Sequence, residues 1–317
     1  MSAEHISVML EPVLDAIAPR AGGRYVDLTL GAGGHSEGLL RRSAPSGEVI
    51  GVDRDPDALA LARARLADFG ARFEAVHADF ASFPEVLRSR GWTQVDGIVL
   101  DAGVSSMQLD QAERGFSFRF DAPLDMRMRH DGQTAAELID ALDEAALIDV
   151  LKTYGEVRGA RRVAQEMKRA RSAGLLDTTT QLRELCEQHA HPSEKRRKVH
   201  PATRIFQALR IAVNDELRQL EAALAAMPEF LAPGAVAAVI SFHSLEDRRV
   251  KRAFRDIAHP PIPKHLRDLP MQLSAQESGF KLLKDRAPSA EEIAQNPRAR
   301  SARLRCLRRL ETAEDER

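Results

Sequence analysis

A short β-rich run, Tyr25 to Leu30, enters a glycine cluster, Gly31-Ala32-Gly33-Gly34, and a helical pattern begins at Ser36. Strand, tight glycine loop and helix in this order leave few folds open. Glycines at such a turn let the backbone take positive φ and approach a neighbour closely. Gly47 to Asp53 reads as a second strand ending on an acid, and Pro56 to Phe69 carries Leu59, Leu61, Ala62 and Leu66 on one helical face. Phe73 to Phe80 and Val95 to Asp101 read as strands three and four. The fourth has a continuous apolar core, suited to a parallel sheet covered on both faces. Alternating strands and helices predict a doubly wound α/β sheet.

The pattern then breaks. The next strong strand after Asp101 is Gly234 to Phe242, and helical stretches fill the interval: Thr134–Tyr154, Gly159–Ser172, Thr179–His189 and Ala202–Met227. Thr134 with Glu137 fits a capping box, and Thr180 with Glu184 fits one less well. A helical insertion inside an α/β domain is the simplest reading. The expected division is residues 1–112 and 206–317 for the sheet domain, and 113–205 for the insertion. The long helix should end at Pro228, and two tail strands, Phe280–Lys284 and Ala302–Leu310, should pair antiparallel at a sheet edge.

Composition excludes several classes. A chain of 317 residues with 44% hydrophobic content can bury substantial cores, which argues against disorder throughout. Two cysteines, Cys186 and Cys306, make neither a disulfide framework nor a zinc site, and both are expected as buried thiols. No apolar run is long enough to span a membrane, and the first residues lack a secretory pattern. The expected location is therefore cytoplasmic.

In open α/β sheets ligands bind at the carboxyl ends of strands, where strand order reverses. Gly31, Gly33 and Gly34 stand at the end of the first strand, and Asp53 ends the second. A carboxylate there can accept both ribose hydroxyls of an adenosine. The dinucleotide fingerprint needs a third glycine where Ser36 stands, which argues against a nicotinamide dehydrogenase. A phosphate loop needs a lysine, and the first lysine is Lys152. S-adenosylmethionine carries no phosphate and needs neither. Asp79-Phe80 ends strand three, where an acid and an aromatic could take an adenine; a core Phe beside a loop Asp is the alternative.

Charge divides along the chain. Residues 1–150 hold 14 Arg and no Lys against 25 acids, a net of −11; residues 151–317 hold 32 bases against 22 acids, a net of +10. The basic half contains four clusters: Arg158 to Arg171, Lys195 to Lys198, Arg248 to Arg255 and Arg298 to Arg309. Four such runs favour contact with phosphates. One Trp, two Tyr and 12 Phe offer little for broad stacking on single strands, so a folded nucleic acid fits better than a generic strand binder.

Longer segments carry a resemblance. They include His5–Leu10, Asp27–Ser36, Gly51–Pro56, Arg114–Phe118, Pro123–Met128, Tyr154–Glu156, His200–Asn214, Ser241–Arg248 and Asn296–Ala302. With these the sequence resembles the MraW/RsmH family of cytosine-N(4) methyltransferases acting on small-subunit ribosomal RNA. The family usually has Leu, Pro and Gly where Ala102, Met107 and Ala122 stand here. The resemblance implies a class I (Rossmann-like) S-adenosylmethionine-dependent methyltransferase sheet with a helical insertion that recognises RNA. It implies cofactor contacts at Gly33, Gly34, His35, Asp53, Phe80, Asp101 and Gln108. The implied partner is 16S rRNA within the small ribosomal subunit, with no membrane; oligomeric state stays open, a homodimer included.

The chemistry names further candidates. An exocyclic amine is a poor nucleophile, because its lone pair is delocalised into the ring, so alignment matters most. Acceptors for its hydrogens would disperse the positive charge that develops on nitrogen. Asp101 is the first catalytic candidate, with service to the cofactor alone as the alternative. His243 is the second, able to hydrogen-bond the base or shed a proton; a structural histidine is the alternative. Ser241 and Ser244 flank it and should face the same pocket. Arg204 and Asn214 lie on the long helix as substrate candidates, Arg204 for a phosphate unless it pairs with an acid. A non-catalytic RNA-binding assembly factor is the rival class, opposed by the intact Gly33-Gly34-His35, Asp53 and Asp101 set.

Overall fold

The computed structural model describes residues 7–195, 199–260 and 278–311. It divides into two compact units, Met1–Gly103 with Leu217–Arg317, and Val104–Glu216. The inserted unit therefore begins earlier and ends later than the 113–205 expected.

The first unit is built on seven strands: β1 (Arg24–Asp27), β2 (Glu48–Asp53), β3 (Phe73–His77), β4 (Val95–Asp101), β5 (Leu231–Ser241), β6 (Phe280–Leu282) and β7 (Arg303–Arg309). Their order is β3-β2-β1-β4-β5-β7-β6. The first five run parallel, and β7 joins β5 and β6 antiparallel, as the tail predicted. Chain order reverses between β1 and β4.

In chain order the helices are α1 (Leu10–Ile17), α2 (Gly34–Arg42), α3 (Pro56–Arg65), α4 (Phe83–Arg88), α5 (Ser106–Asp110), α6 (Ala135–Ala141), α7 (Glu144–Gly155), α8 (Ala160–Ser172), α9 (Thr179–His189), α10 (Pro192–Lys195), α11 (Pro201–Asn214), α12 (Glu216–Phe230), α13 (Ser244–Ala258) and α14 (Ala290–Gln295). Alternation along the strands sends side chains into two cores. Val26, Ile50, Ile98 and Val239 pack with Phe83, Leu224 and Phe254 on one face. Tyr25, Val49, Val99 and Ile240 pack with Leu14, Leu39 and Leu59 on the other. Both sheet faces are covered, which gives the α/β architecture the alternation predicted. Cys306 lies buried on β7, and burial pushes its thiol up to about 12.

The inserted unit is a helical body around its own core, which includes Leu124, Met126, Leu147, Val163, Leu182, Cys186, Ile205 and Leu209. Two helices read as continuous in sequence are broken. Thr134–Tyr154 divides into α6 and α7, because Leu142 is extended and the Asp143 side chain accepts the Ala146 N–H at 2.7 Å to start a new helix. Ala202–Met227 divides at Asp215, a non-glycine residue with φ 51. Its second half, α12, runs past the expected stop and carries Pro228 inside. The Thr134–Glu137 capping box forms, whereas the one expected at Thr180 is made by Thr178 with Gln181. Among the described residues no helix is long and apolar enough to cross a membrane.

Candidate functional site

Three carboxylates end three adjacent parallel strands. Register places Asp27 opposite Gly51 on β2 and Val99 on β4. By alternation Asp27, Asp53 and Asp101 therefore share the face of Tyr25, Val49 and Val99. This is where strand order reverses, the place at which open α/β sheets bind ligands.

Each acid is held differently. Asp27 is fully buried; its Oδ2 accepts from Ser36 Oγ at 2.8 Å and its Oδ1 from the Thr29 N–H at 3.2 Å. Asp53 accepts the Gly31 N–H at 2.8 Å through Oδ2 and the Asp55 N–H at 2.9 Å through Oδ1. The Asp101 N–H donates to Thr29 Oγ1 at 2.6 Å, while its buried carboxylate Oδ1 has no hydrogen-bond partner. Burial raises all three carboxyls. Asp27 and Asp53 reach about 6. Asp101 stands well above the ordinary carboxylate range, through burial first and then the charges of Asp27 and Glu246. Like charges this close disfavour full ionisation and favour an incoming cation.

The glycine loop fits between them. Gly33 sits at φ 83, and a Cβ there would lie 3.0 Å from Leu66 Cδ1. A Cβ on Gly34 would lie 1.9 Å from Ser7 Oγ. His35 is buried, with Nε2 3.0 Å from the Val8 carbonyl, so its imidazole ties α2 to the N-terminal segment. Phe80 follows β3; the Arg54 guanidinium stands over its ring at 5.7 Å and pairs with Asp79 at 3.1 Å.

At the end of β5 the Ser241 Oγ is buried without a hydrogen-bond partner, but Ser241 has the parity of Val239, opposite to the three acids. Phe242 lies against Gly103, the residue two beyond Asp101. His243 caps α13: its Nδ1 accepts the Glu246 N–H at 3.3 Å, and its Nε2 stands 3.0 Å from Glu246 Oε1. Glu246 Oε2 in turn accepts the N–H groups of Phe242 and His243. An Nδ1 that accepts leaves the imidazole proton on Nε2, facing Glu246. Ser244 begins the helix and is exposed.

Three candidates belong to the inserted unit. Gln108 Oε1 accepts the Ser105 N–H at 3.1 Å in a capping box. Arg204 donates to the Glu156 carbonyl at 3.0 Å and lies 4.0 Å from Glu194. Asn214 is buried; its Oδ1 accepts the Met128 N–H at 2.8 Å and its Nδ2 donates to the Met126 carbonyl at 2.7 Å.

Sequence reasoning missed Asp27, Thr29 and Glu246. A strand-terminal acid just before the glycine loop was the available signal for Asp27. The Glu three residues after His243 was the signal for a capping pair.

The basic clusters separate by partner. In α8, Arg169 pairs with Glu166, Arg171 with Asp140 and Asp177, and Lys168 Nζ donates to the carbonyls of Ile139, Asp140 and Leu142. Arg158, Arg161 and Arg162 are exposed. Arg249 pairs with Glu221, Arg255 with Asp256 and Arg305 with Asp247. Of the cluster beginning at Lys195, Arg196 to Lys198 lie outside the described residues.

Compared with known proteins, the MraW methylase family matches residues 2–310. The ribosomal RNA small subunit methyltransferase H of Magnetococcus marinus is 50% identical over 315 residues, spanning 98% of this chain and 100% of its own length. The protein of the same name from Maricaulis maris is 49% identical over 311 residues, spanning 98% and 92%. Among solved structures, an rRNA methylase from Streptococcus thermophilus aligns with a TM-score of 0.42 at 10% identity, covering 98% of this chain and 99% of that one.

Proposed function

This chain belongs to the MraW methylase family, and on that premise we propose that it transfers a methyl group from S-adenosylmethionine to the N4 amine of a cytidine in the decoding region of 16S ribosomal RNA. The observation that carries the reading is the buried, unpartnered Asp101 Oδ1 at the end of β4, within reach of the charges of Asp27 and Glu246. Three raised carboxyls in one place suit a cationic ligand and oppose a phosphate. The residues thus fit S-adenosylmethionine, which when bound supplies an electrophilic methyl on a sulfonium.

Asp53, which already holds the Gly31 N–H, would accept ribose hydroxyls; Gly31 leaves space beside the backbone, whereas Leu66 and Ser7 fill the space beside Gly33 and Gly34. Phe80, held under Arg54, offers an apolar face to the adenine. His35 serves through the backbone it holds, and Gln108 through its cap. Asp101 accepts a hydrogen bond from the target amine, disperses charge as nitrogen gains a bond, and through its unpartnered Oδ1 takes up the proton that the nitrogen then sheds. His243 is held through Nδ1, which accepts the Glu246 N–H, and so orients the β5–α13 turn with Phe242 against the β4 loop, while its buried Nε2 makes no hydrogen bond. Ser244, exposed at the start of α13, is offered to the substrate, whereas Ser241 points to the sheet face opposite to the three acids. Arg204 and Asn214 support RNA through the scaffold of the inserted unit. The target base must leave its stack to reach a pocket at the strand ends.

The test is labelled methyl transfer to naked 16S rRNA and to assembled small subunits, followed by nucleoside mass spectrometry. N4-methylcytidine is the expected product. Methylation at another base or atom overturns the substrate assignment, and no transfer to either RNA overturns the reading.

A further inference from the structure

We infer that Thr29 is a positioning residue for Asp101, holding its backbone through a side-chain hydroxyl at the point where the sheet ends. The inference rests on the role given to Asp101 above.

The geometry is local. In a parallel pair, one residue donates its N–H to one carbonyl of the neighbour and accepts at its own carbonyl the N–H two residues further along. Leu28 donates to the Val99 carbonyl at 2.8 Å, so the next rung would carry the Asp101 N–H to the Leu28 carbonyl. That N–H goes instead to Thr29 Oγ1, at 2.6 Å. The chain is already leaving β4 here, since Leu30 donates to the Val52 carbonyl at 3.0 Å on the β2 side. A hydroxyl thus supplies a rung that the departing backbone no longer makes.

Thr29 is also tied to the other acid, because its own N–H donates to Asp27 Oδ1 at 3.2 Å. One residue therefore bonds both Asp27 and Asp101 and fixes their spacing. The hydroxyl accepts from Asp101, so its hydrogen remains available as a donor toward whatever occupies the strand ends. Serine can reproduce both functions. Valine keeps the shape and the β-branch but can accept nothing.

The experiment compares Thr29→Val, Thr29→Ser and Asp101→Asn, and the Thr29→Val/Asp101→Asn double variant. Methyl transfer to the RNA substrate and calorimetric binding of S-adenosylmethionine are read on each. Thr29→Val is expected to slow transfer roughly tenfold, as for loss of a hydrogen bond that leaves a buried donor unsatisfied. Its KM for RNA should hold, and Thr29→Ser should restore the rate. In the Asp101→Asn background Thr29→Val should add no further loss, because the two act as a unit. Additive losses, or a Thr29→Ser variant as slow as Thr29→Val, overturn the inference. Should Thr29→Val not fold, Thr29→Ala against Thr29→Ser makes the same comparison. Normal turnover in Asp101→Asn overturns the underlying role of Asp101. Slow Asp101→Asn with normal Thr29→Val removes Thr29 alone.

Discussion

His243 and Glu246 cap one helix between them: the imidazole Nδ1 accepts the Glu246 N–H at 3.3 Å, and the carboxylate Oε2 accepts the His243 N–H at 3.2 Å. A reciprocal cap of this kind makes the imidazole a structural acceptor. Asparagine is an effective cap and cannot move a proton, so His243→Asn separates the two roles. It should keep the melting temperature and most of the methyl-transfer rate. His243→Ala should lose about 1 kcal/mol of stability in thermal unfolding. A rate collapse in a fully folded His243→Asn would restore a chemical role.

The Asp27 carboxyl, raised from 3.8 to about 6 by burial, makes a signed prediction. Its folded value lies above its unfolded one. Its contribution to stability is therefore present below about pH 4 and lost as pH rises through about 6. Relative to the wild-type protein, Asp27→Asn should gain with rising pH over that window, by up to about 3 kcal/mol. Chemical denaturation of both proteins from pH 4 to 7, without cofactor, measures it. A difference that stays flat would rule out a raised Asp27.

Asn214 joins α11 to a segment far away in sequence. Asn214→Ala leaves the buried Met128 N–H and Met126 carbonyl without this partner. A cost of about 2–3 kcal/mol follows from the unsatisfied groups. Hydrogen exchange should show the loss as faster exchange at the Met128 amide.

The arginines of α8 should differ from one another. Arg161→Gln with Arg162→Gln should weaken RNA binding and reduce the salt slope by roughly two, with stability unchanged. Arg171→Gln should instead lower stability, since its guanidinium bridges Asp140 and Asp177. Fluorescence anisotropy across a salt series, beside thermal unfolding, distinguishes the two sets.

The sheet was legible because each parallel strand joins an apolar run to a terminal signal. Asp53 and Asp101 stand at the strand ends where they were expected. The helix break at Asp215 was not legible, since a left-handed aspartate carries no glycine signal. Nor was the Thr178 cap, because Thr178, Thr179 and Thr180 all qualify as capping residues. The bonds of Asn214 to Met128 and Met126 lie 86 and 88 residues away, beyond any local pattern. The same holds for Thr29, whose hydroxyl meets a residue 72 positions on. Residue type reveals which groups can bond; only the fold decides which are already spent.

The register that sets Asp101 beside Ile240 has a consequence for how the protein is made. The whole inserted unit, Val104–Glu216, leaves the ribosome between these two residues. It is one continuous segment with its own core. The parallel sheet, by contrast, cannot add β5 until that segment has been synthesised. Closing so long a loop costs only about 2 kcal/mol more than closing one of ten residues, because the entropy grows logarithmically. The delay is thus a matter of time rather than of stability. During synthesis the β4 edge waits with its rungs unmade, and Asp101 gains its β5 neighbour only when the second half of the sheet arrives.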